Sequence, residues 1–254
     1  MDTASTFRRV FSMPVIVAAL GYFVDIYDLV LFSIVRVPSL KELGLSGKEL
    51  TDQGVYLLNM QMAGMLIGGI IWGILGDRKG RLKIMFGSIF LYSLANIANG
   101  MVTSLSAYYA LRFIAGIGLA GELGAGITLV SEVLPTRVRG YGTMLVASVG
   151  VSGAILANFI ASAYDWRNAF YIGGVLGLLL LVARISVAES GMFKAMEAKA
   201  VANRGRFLAL FTDRRRFLRY VNSIMIGVPI WFVVGVLITF SPEFAKSFGT
   251  SGPV

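Results

Sequence analysis

Residues 54–101 read GVYLLNMQMAGMLIGGIIWGILGDRKGRLKIMFGSIFLYSLANIANGM, two long apolar stretches joined by a short basic loop. A helix needs roughly 20 apolar residues to cross the hydrocarbon core of a bilayer, and each stretch is long enough. Strands of a membrane barrel would instead alternate apolar and polar residues over about ten positions. The stretch therefore predicts two antiparallel transmembrane helices.

The rest of the chain has the same character. Of its 254 residues 56% are hydrophobic and 15% are charged, and the mean hydropathy is +0.75. Soluble domains carry about 25% charged residues, so the composition excludes a soluble fold. The chain has no cysteine and no histidine, which excludes disulfides, thiol nucleophiles, imidazole relays and Cys/His metal sites. Carboxylates remain as proton carriers, and no cofactor is expected.

Windows of roughly 20 residues predict an all-α, polytopic integral membrane protein. The seven predicted spans are 13–36, 54–76, 83–101, 106–130, 141–163, 167–187 and 219–240. Accordingly we divide the chain into a six-helix bundle (1–187), a basic linker (188–218) and the first helix of a second bundle (219–254). Within the linker, FKAMEAKA and RFLALFTDRRRFL are typical of short amphipathic helices on a membrane surface.

Basic residues collect on one side of the predicted spans, and the opposite side has few, among them Arg36. The crowded side carries Arg8, Arg9, Arg78, Lys79, Arg81, Lys83, Arg137, Arg139 and the basic residues of the linker. The positive-inside rule then predicts a cytoplasmic N-terminus, and we expect a multi-pass protein of the plasma (inner) membrane. The net charge of +9 is thereby explained by topology, without nucleic-acid binding.

The loop between spans two and three carries a motif. Its residues Gly73, Asp77, Arg78, Gly80 and Arg81 stand in the sequence GILGDRKGRLK. This resembles the G-x-x-x-D-R-x-G-R-[KR] loop of the major facilitator superfamily. The resemblance implies the six-helix half-bundle of that superfamily, followed here by one further transmembrane helix.

A second motif follows span four, where SEVLPTRVRG contains Glu132, Pro135, Arg139 and Gly140. It resembles the superfamily's E-x-x-P-x-x-x-R-G sequence. Together the two motifs imply a charge cluster at a cytoplasmic gate that breaks and reforms as the two halves of a transporter rock. The alternative is that these charges only orient the helices.

Inside the spans we single out four charged side chains: Asp25, Asp28, Arg112 and Glu122. A charge in the bilayer core costs about 2.5–3.5 kcal/mol on insertion scales, so each is a functional candidate. With spans one and four centred near residues 25 and 118, Asp28 lies about 5 Å and Arg112 about 9 Å toward the outside, and Glu122 about 6 Å toward the cytoplasm. We therefore expect Arg112 to reach Asp28. Such a pair could couple proton binding to conformation by breaking and re-forming, or it could be purely structural.

Two segments narrow the resemblance. GYFVDIYDL, with Asp25 and Asp28, resembles the F-x-D-x-Y-D first helix of phosphate and other anion:proton symporters, and aromatic-acid:proton symporters share its D-x-x-D spacing. RFIAGIGLAGELGAG, from Arg112 onward, resembles the fourth helix of phosphate and metabolite:proton symporters, although Glu122 stands where phosphate porters have aspartate. The resemblance implies proton coupling by Asp25, Asp28 and Glu122, with Arg112 as their cationic partner.

Polar side chains within the spans supply candidates for the lining of a substrate cavity. These are Tyr56, Asn59, Gln61 and Asn158. Polar residues in spans also serve as hydrogen-bonding contacts between helices, which is the alternative for each of them.

The leading hypothesis is a proton-coupled symporter of a small polar solute, an organic or inorganic anion, that works by alternating access within the bilayer. The alternatives are a sugar:proton symporter and a half-length membrane protein without transport activity. An enzyme is disfavoured, because we find no nucleophile with a base, metal cluster or nucleotide loop. Since a whole facilitator has twelve spans, we expect transport to need a missing C-terminal half or a second chain.

Overall fold

A computed structural model describes residues 10–79, 81–188 and 209–249, and within these ranges all regular secondary structure is helical. The helices are α1 (Met13–Glu42), α2 (Gly47–Lys79), α3 (Arg81–Gly100), α4 (Leu105–Val133), α5 (Arg139–Val151), α6 (Gly153–Ala163), α7 (Trp166–Ala188), α8 (Ala209–Thr212), α9 (Arg214–Phe232), a π-helix (Val233–Ile238) and α10 (Ser241–Ser247). The predicted all-α, polytopic fold is confirmed.

Six stretches of the described residues are long and apolar enough to cross a membrane. They are Met13–Glu42, Gly47–Lys79, Leu105–Ser131, Arg139–Ala163, Trp166–Ile185 and Arg214–Ile238. The remaining predicted span is α3, whose 20 residues form a helix about 30 Å long. Its apolar character is weakened by buried polar side chains, among them Ser88, Ser93, Asn96 and Asn99.

The predicted linker is described only in part. FKAMEAKA and the first three residues of the second amphipathic segment lie outside the described residues, whereas residues 209–218 of that segment form α8 and the first turn of α9. Asp213 caps α9, because its Oδ1 accepts a hydrogen bond from the backbone N–H of Arg216 at 2.9 Å. The division into a bundle, a linker and a second bundle stays a prediction.

Packing within the six spans is symmetric. α1 packs against α4, α5, α6 and α7, while α4 packs against α1, α2, α3 and, more lightly, α5. Exchanging spans one, two and three for spans four, five and six, with α5 and α6 counted as span five, leaves the set of main packing pairs unchanged. This pattern matches the three-helix repeats that many transporters contain. It places the charged faces of α1 and α4 together at the centre.

Close approach of α2 and α4 depends on glycine. A Cβ atom on Gly64 would overlap the backbone of Phe113, and one on Gly116 would overlap the backbone of Gln61. Small residues allow this backbone contact between membrane helices. Because Arg112 lies one turn from Gly116, the crossing also sets Gln61 beside Arg112.

Span five is broken into α5 and α6 at Ser152. The Ser152 hydroxyl donates to the carbonyl of Val149 at 2.6 Å, and glycines at 150 and 153 flank the break. Gly150 packs against the ring of Tyr22, and Gly153 against the backbone of Phe23. Glycine and serine pairs are a known cause of irregularities in helices, and here the interruption lies against α1.

Candidate functional site

Asp28 and Arg112 form a wholly buried ion pair between α1 and α4. Nη2 of Arg112 lies 3.1 Å from Oδ2 of Asp28, and Nη1 lies 3.4 Å from Oδ1. Asn96 donates to Oδ1 at 2.9 Å and Gln61 donates to Oδ2 at 3.2 Å, while Arg112 also donates to Gln61. Both oxygens of Asp28 thus accept hydrogen bonds from Arg112, and each also accepts one from an amide side chain.

Aromatic rings enclose the guanidinium of Arg112. Its Cζ lies 4.4 Å from the centroid of the Phe32 ring and 5.5 Å from that of Phe170. Tyr108 and Trp166 pack against Phe170 with ring centroids about 6 Å away. The rings keep water from this end of the pair and add cation–π attraction.

Glu122 forms a second buried ion pair, with Arg184 of α7. Nη2 of Arg184 lies 2.5 Å from Oε2 of Glu122, and Nη1 lies 2.7 Å from Oε1. Ser88 of α3 also donates to Oε1, at 2.9 Å. A Cβ atom on Gly21 of α1 would meet both partners, at 2.5 Å from Arg184 and 2.8 Å from Glu122, so this glycine leaves room for the pair.

Arg184 is absent from the candidates of the sequence analysis. It lies within the predicted span 167–187, in the run GLLLLVARISV, and the rule that singles out charges inside spans applies to it equally. Its position near the end of the span is what a surface arginine also shows. Only the packing of α7 against α3 and α1 turns its side chain inward, toward Glu122 of α4.

Asp25 lies between the two ion pairs. Its position on α1 is three residues before Asp28 and four after Gly21, on one helical face. The side chain is 4% exposed, and neither carboxylate oxygen has a hydrogen-bond partner among the residues that the structure describes. Glu122, Arg184 and Asp28 all act on its charge. Asp25 is therefore a buried carboxyl group without a dedicated donor.

The predicted cytoplasmic gate is described in fragments. Gly73 is exposed on α2, Asp77 is half-buried near its end and Arg78 is exposed. Gly80 lies outside the described residues, as does the side chain of Arg81.

On the other side of the predicted gate, the side chain of Glu132 also lies outside the described part of the chain. Arg139 donates from Nε to the carbonyl of Leu134 at 2.9 Å and so satisfies a carbonyl at the end of α4. The gate cluster stays a prediction.

The candidate cavity residues divide into two kinds. Tyr56, Asn59 and Asn158 are exposed on the bundle surface. Gln61 is buried and lines a cavity of about 110 Å³ between α1, α2 and the seventh span, in addition to its contact with the ion pair. The other lining residues are mainly apolar, including Leu29, Leu58, Met62, Trp231 and Val234. Gln61 thus lies between the cavity, which it lines, and Arg112, from which it accepts a hydrogen bond.

At the opposite end of α1, Arg36 connects the bundle to the seventh span. Arg36 is wholly buried, with Nη2 2.5 Å from Oε1 of Glu243 and 3.2 Å from the carbonyl of Thr239, and its Cζ lies 4.6 Å from the Phe240 ring centroid. Gly54 of α2 leaves space for the guanidinium. The sequence pattern assigns Arg36 to the less basic side but does not reveal this contact.

No group of three or more carboxylate, histidine or cysteine side chains within the described ranges is arranged to hold a metal ion. The chemistry available to the buried cluster is proton binding and ion-pair exchange.

We compared the chain with known protein families, proteins and structures. The Major Facilitator Superfamily profile matches residues 18–254. A niacin transporter, NiaP of Acinetobacter baylyi, is 32% identical over 68% of this chain and 40% of that protein. A sialic acid transporter, NanX of Escherichia coli, is 33% identical over 68% of this chain and 43% of that protein.

A crystal structure of a D-xylose-proton symporter has a TM-score of 0.68 at 22% identity and covers 94% of this chain and 62% of that one. This likeness shows the fold. The chain spans about half the length of the curated relatives it matches.

Proposed function

The chain belongs to the major facilitator superfamily, and we propose that it forms the proton-coupling half of a symporter that carries a small organic or inorganic anion by alternating access. The observation that carries this proposal is the wholly buried pair of Asp28 and Arg112, which Gln61 joins to a cavity beside the seventh span.

Proton binding at Asp28 would change the balance of this pair. A protonated Asp28 loses its Coulomb attraction to Arg112, and the guanidinium then sits buried without a counter-charge. An anion in the cavity can supply that charge, because Gln61 already contacts both the cavity and Arg112. Proton and anion would thereby favour each other's binding, which is the thermodynamic requirement of symport.

Asp25 supplies a second acceptor. An ionised carboxylate that is buried without donors is expensive, whereas a neutral acid in the same place costs less. Asp25 has no hydrogen-bond partner among the described residues, while Asp28 and Glu122 are each held by an arginine. We assign the resting proton to Asp25 and the coupling step to Asp28.

The substrate class is supported by chemistry and by the relatives. Protonation of Asp28 leaves the positive charge of Arg112 unbalanced, which suits an anionic solute. Relatives named for niacin and for sialic acid transport are consistent with an acid as substrate.

The test of coupling uses the full-length transporter that contains this chain, reconstituted in liposomes. Asp28→Asn is expected to reduce proton-driven accumulation of substrate to background, because the amide does not release a proton. Exchange of internal for external substrate should persist, since exchange needs no proton release. Wild-type accumulation by Asp28→Asn would show that the coupling assignment is wrong.

The substrate class is tested separately by thermal unfolding in the presence of phosphate, carboxylates or sugars. A ligand that binds only the folded state at 100 times its Kd adds about 2.7 kcal/mol of stability. We expect stabilisation by carboxylates. Stabilisation by sugars alone would favour the sugar:proton alternative.

A further inference from the structure

One face of α3 carries four buried polar side chains, which we call the polar stripe: Ser88, Tyr92, Asn96 and Asn99. Their spacings of four, four and three residues keep them on one side of the helix. All four side chains are at most 1% exposed. Buried hydroxyl and amide groups in a membrane helix cost free energy unless they are hydrogen-bonded, so the stripe calls for an explanation.

The polar stripe runs alongside the carboxylates of α1 and α4. Ser88 donates to Glu122 at 2.9 Å, and Asn96 donates to Asp28 at 2.9 Å. Tyr92 lies midway between Ser88 and Asn96, and the charges of both Asp25 and Asp28 act on its hydroxyl. The order along the stripe thus matches the order of the three carboxyl groups.

Attachment of one helix to another explains only half of the stripe. Ser88 and Asn96 make hydrogen bonds to other helices, as such contacts require. Among the residues that the structure describes, however, the Tyr92 hydroxyl, Oδ1 of Asn96 and both amide atoms of Asn99 have no partner. Apolar residues of similar size at these positions would be cheaper for packing alone. Both oxygens of Asp25 are also without a partner there, and the charge of Asp25 acts on the Tyr92 hydroxyl.

We propose that the polar stripe is an internal proton relay in which Asn99, Asn96 and Tyr92 hold water molecules that connect one end of α3 to Asp28 and Asp25. Asn99 lies in the last turn of α3, next to the loop that leads to α4; its side chain is itself buried, and it marks the end of the stripe at which we place the entrance. Polar groups with free donors and acceptors are the surroundings in which buried water is stable. This inference rests on the proposed proton coupling and adds a route to it.

The chemistry of each step is a simple proton transfer. A hydronium ion at the entrance gives its proton to the next water, each water passes one proton on, and the carboxylate oxygen of Asp28 accepts the last; Asp25 accepts one only after it has released its own. One O–H bond breaks and one forms at every transfer, and no oxidant or reductant is involved. The amide of Asn99 and the hydroxyl of Tyr92 position the water and keep their own protons on average. They are positioning residues.

The test measures the rate at which buried carboxyl groups take up protons, by time-resolved infrared absorption of their C=O band after a pH jump. The samples are the whole chain in lipid nanodiscs, as wild type and as the variants Asn99→Leu, Tyr92→Phe and Tyr141→Phe. The last variant removes the hydroxyl of an exposed tyrosine at the start of α5, outside the polar stripe, and serves as the control. Asp25→Asn and Asp28→Asn identify which part of the band belongs to these carboxyls.

We expect Asn99→Leu and Tyr92→Phe to slow proton uptake by about tenfold, the factor that 1.36 kcal/mol of barrier produces. The control should react at the wild-type rate. The thermal unfolding midpoints of Asn99→Leu and Tyr92→Phe should be equal to or higher than that of wild type, because each of these variants removes a buried polar group that has no partner in the protein. A purely structural stripe predicts the reverse, a lower midpoint with an unchanged rate.

Three results would overturn the relay. The first is a wild-type rate in both stripe variants. The second is slowing by the control to the same degree, which would show a general effect on the bundle. The third is a wild-type C=O band that Asp25→Asn and Asp28→Asn leave unchanged. That result is distinct from the other two, because it would also contradict the proposed proton coupling.

If Tyr92→Phe fails to fold, Asn99→Leu alone decides between the relay and a structural stripe.

Discussion

At the scale of single residues, the three buried carboxyl groups have unequal surroundings. Asp28 and Glu122 each face a buried arginine and further donors, whereas Asp25 faces none among the described residues. Removing one partner of a buried ion pair leaves the other partner as an uncompensated charge, while removing a carboxyl that has no partner leaves no other group unpaired. Loss of Asp28 or Glu122 should therefore cost stability, whereas loss of Asp25 should not, and substitutions can test this difference.

The pair of Glu122 and Arg184 is expected to be mainly structural. Arg184→Leu should lower the free energy of unfolding by about 3–5 kcal/mol, since it leaves Glu122 buried and unpaired. The double variant Glu122→Leu/Arg184→Leu should recover most of this loss. The measurement is the unfolding transition in detergent, followed by circular dichroism. Equal stability of the single and double variants would contradict the assignment.

The opposite result is expected for Asp25. Asp25→Asn should leave the unfolding midpoint unchanged or raise it, because the carboxyl has no donor to lose. Asp28→Asn should lower the midpoint, since Arg112 then lacks its counter-charge. Parallel thermal scans of the two variants give the comparison. A loss of stability with Asp25→Asn as large as that with Asp28→Asn would reveal a partner for Asp25.

At the scale of helices, the site depends on how closely α2 and α4 approach. Gly64 and Gly116 permit backbone contact at the crossing, and this contact brings Gln61 to the ion pair. Gly69 lies on another face of α2, where a Cβ atom would have no neighbour within 4 Å. The two glycines of one helix thus serve as a test position and a control.

Gly64→Ala should separate α2 from α4, because the new Cβ atom would overlap the Phe113 carbonyl. Overpacking of this kind costs typically about 1–3 kcal/mol. Gly69→Ala should be neutral or stabilising, since alanine is the better helix former. Unfolding transitions measure the cost, and a solution NMR signal from the Gln61 amide measures the local shift. Similar behaviour of the two variants would exclude a special role for the crossing.

At the scale of the whole molecule, the sequence predicts the parts better than their contacts. Apolar length predicts the spans, and depth along α1 and α4 predicts that Arg112 reaches Asp28, whose side chains the structure places 3.1 Å apart. The pairing of Glu122 with Arg184 depends on the rotation of α7, which a weakly amphipathic membrane helix does not encode in its residue pattern. The residues of the polar stripe lower the hydropathy of α3, but the sequence does not predict which side chains of other helices they contact.

The contact of Arg36 with the seventh span is the feature with consequences for the entire transporter. Glu243, the carbonyl of Thr239 and the ring of Phe240 together hold a buried guanidinium at one end of α1, opposite to the predicted cytoplasmic gate. The rest of the seventh span packs loosely, and no residue of α9 is buried by the described part of the chain. Arg36 and the hydrogen bond of 2.9 Å between the Ser33 and Thr239 hydroxyls connect α1 to this part of the chain, and weakening the Arg36 contacts should let the two separate at that end.

Glu243→Gln is expected to open this end, because the amide no longer balances the buried charge of Arg36. Since the chain has no cysteine, spin labels can be placed uniquely at two introduced cysteines, Lys41→Cys and Lys246→Cys, both at exposed positions. Pulsed electron resonance should then show a longer or broader distance distribution in Glu243→Gln than in wild type. Glu49→Gln, an exposed carboxylate at the start of α2, is the control and should leave the distribution unchanged. If Glu243→Gln also leaves it unchanged, the contact depends on the Thr239 carbonyl, the Phe240 ring and the Ser33–Thr239 hydrogen bond, and the ion pair adds only local stability.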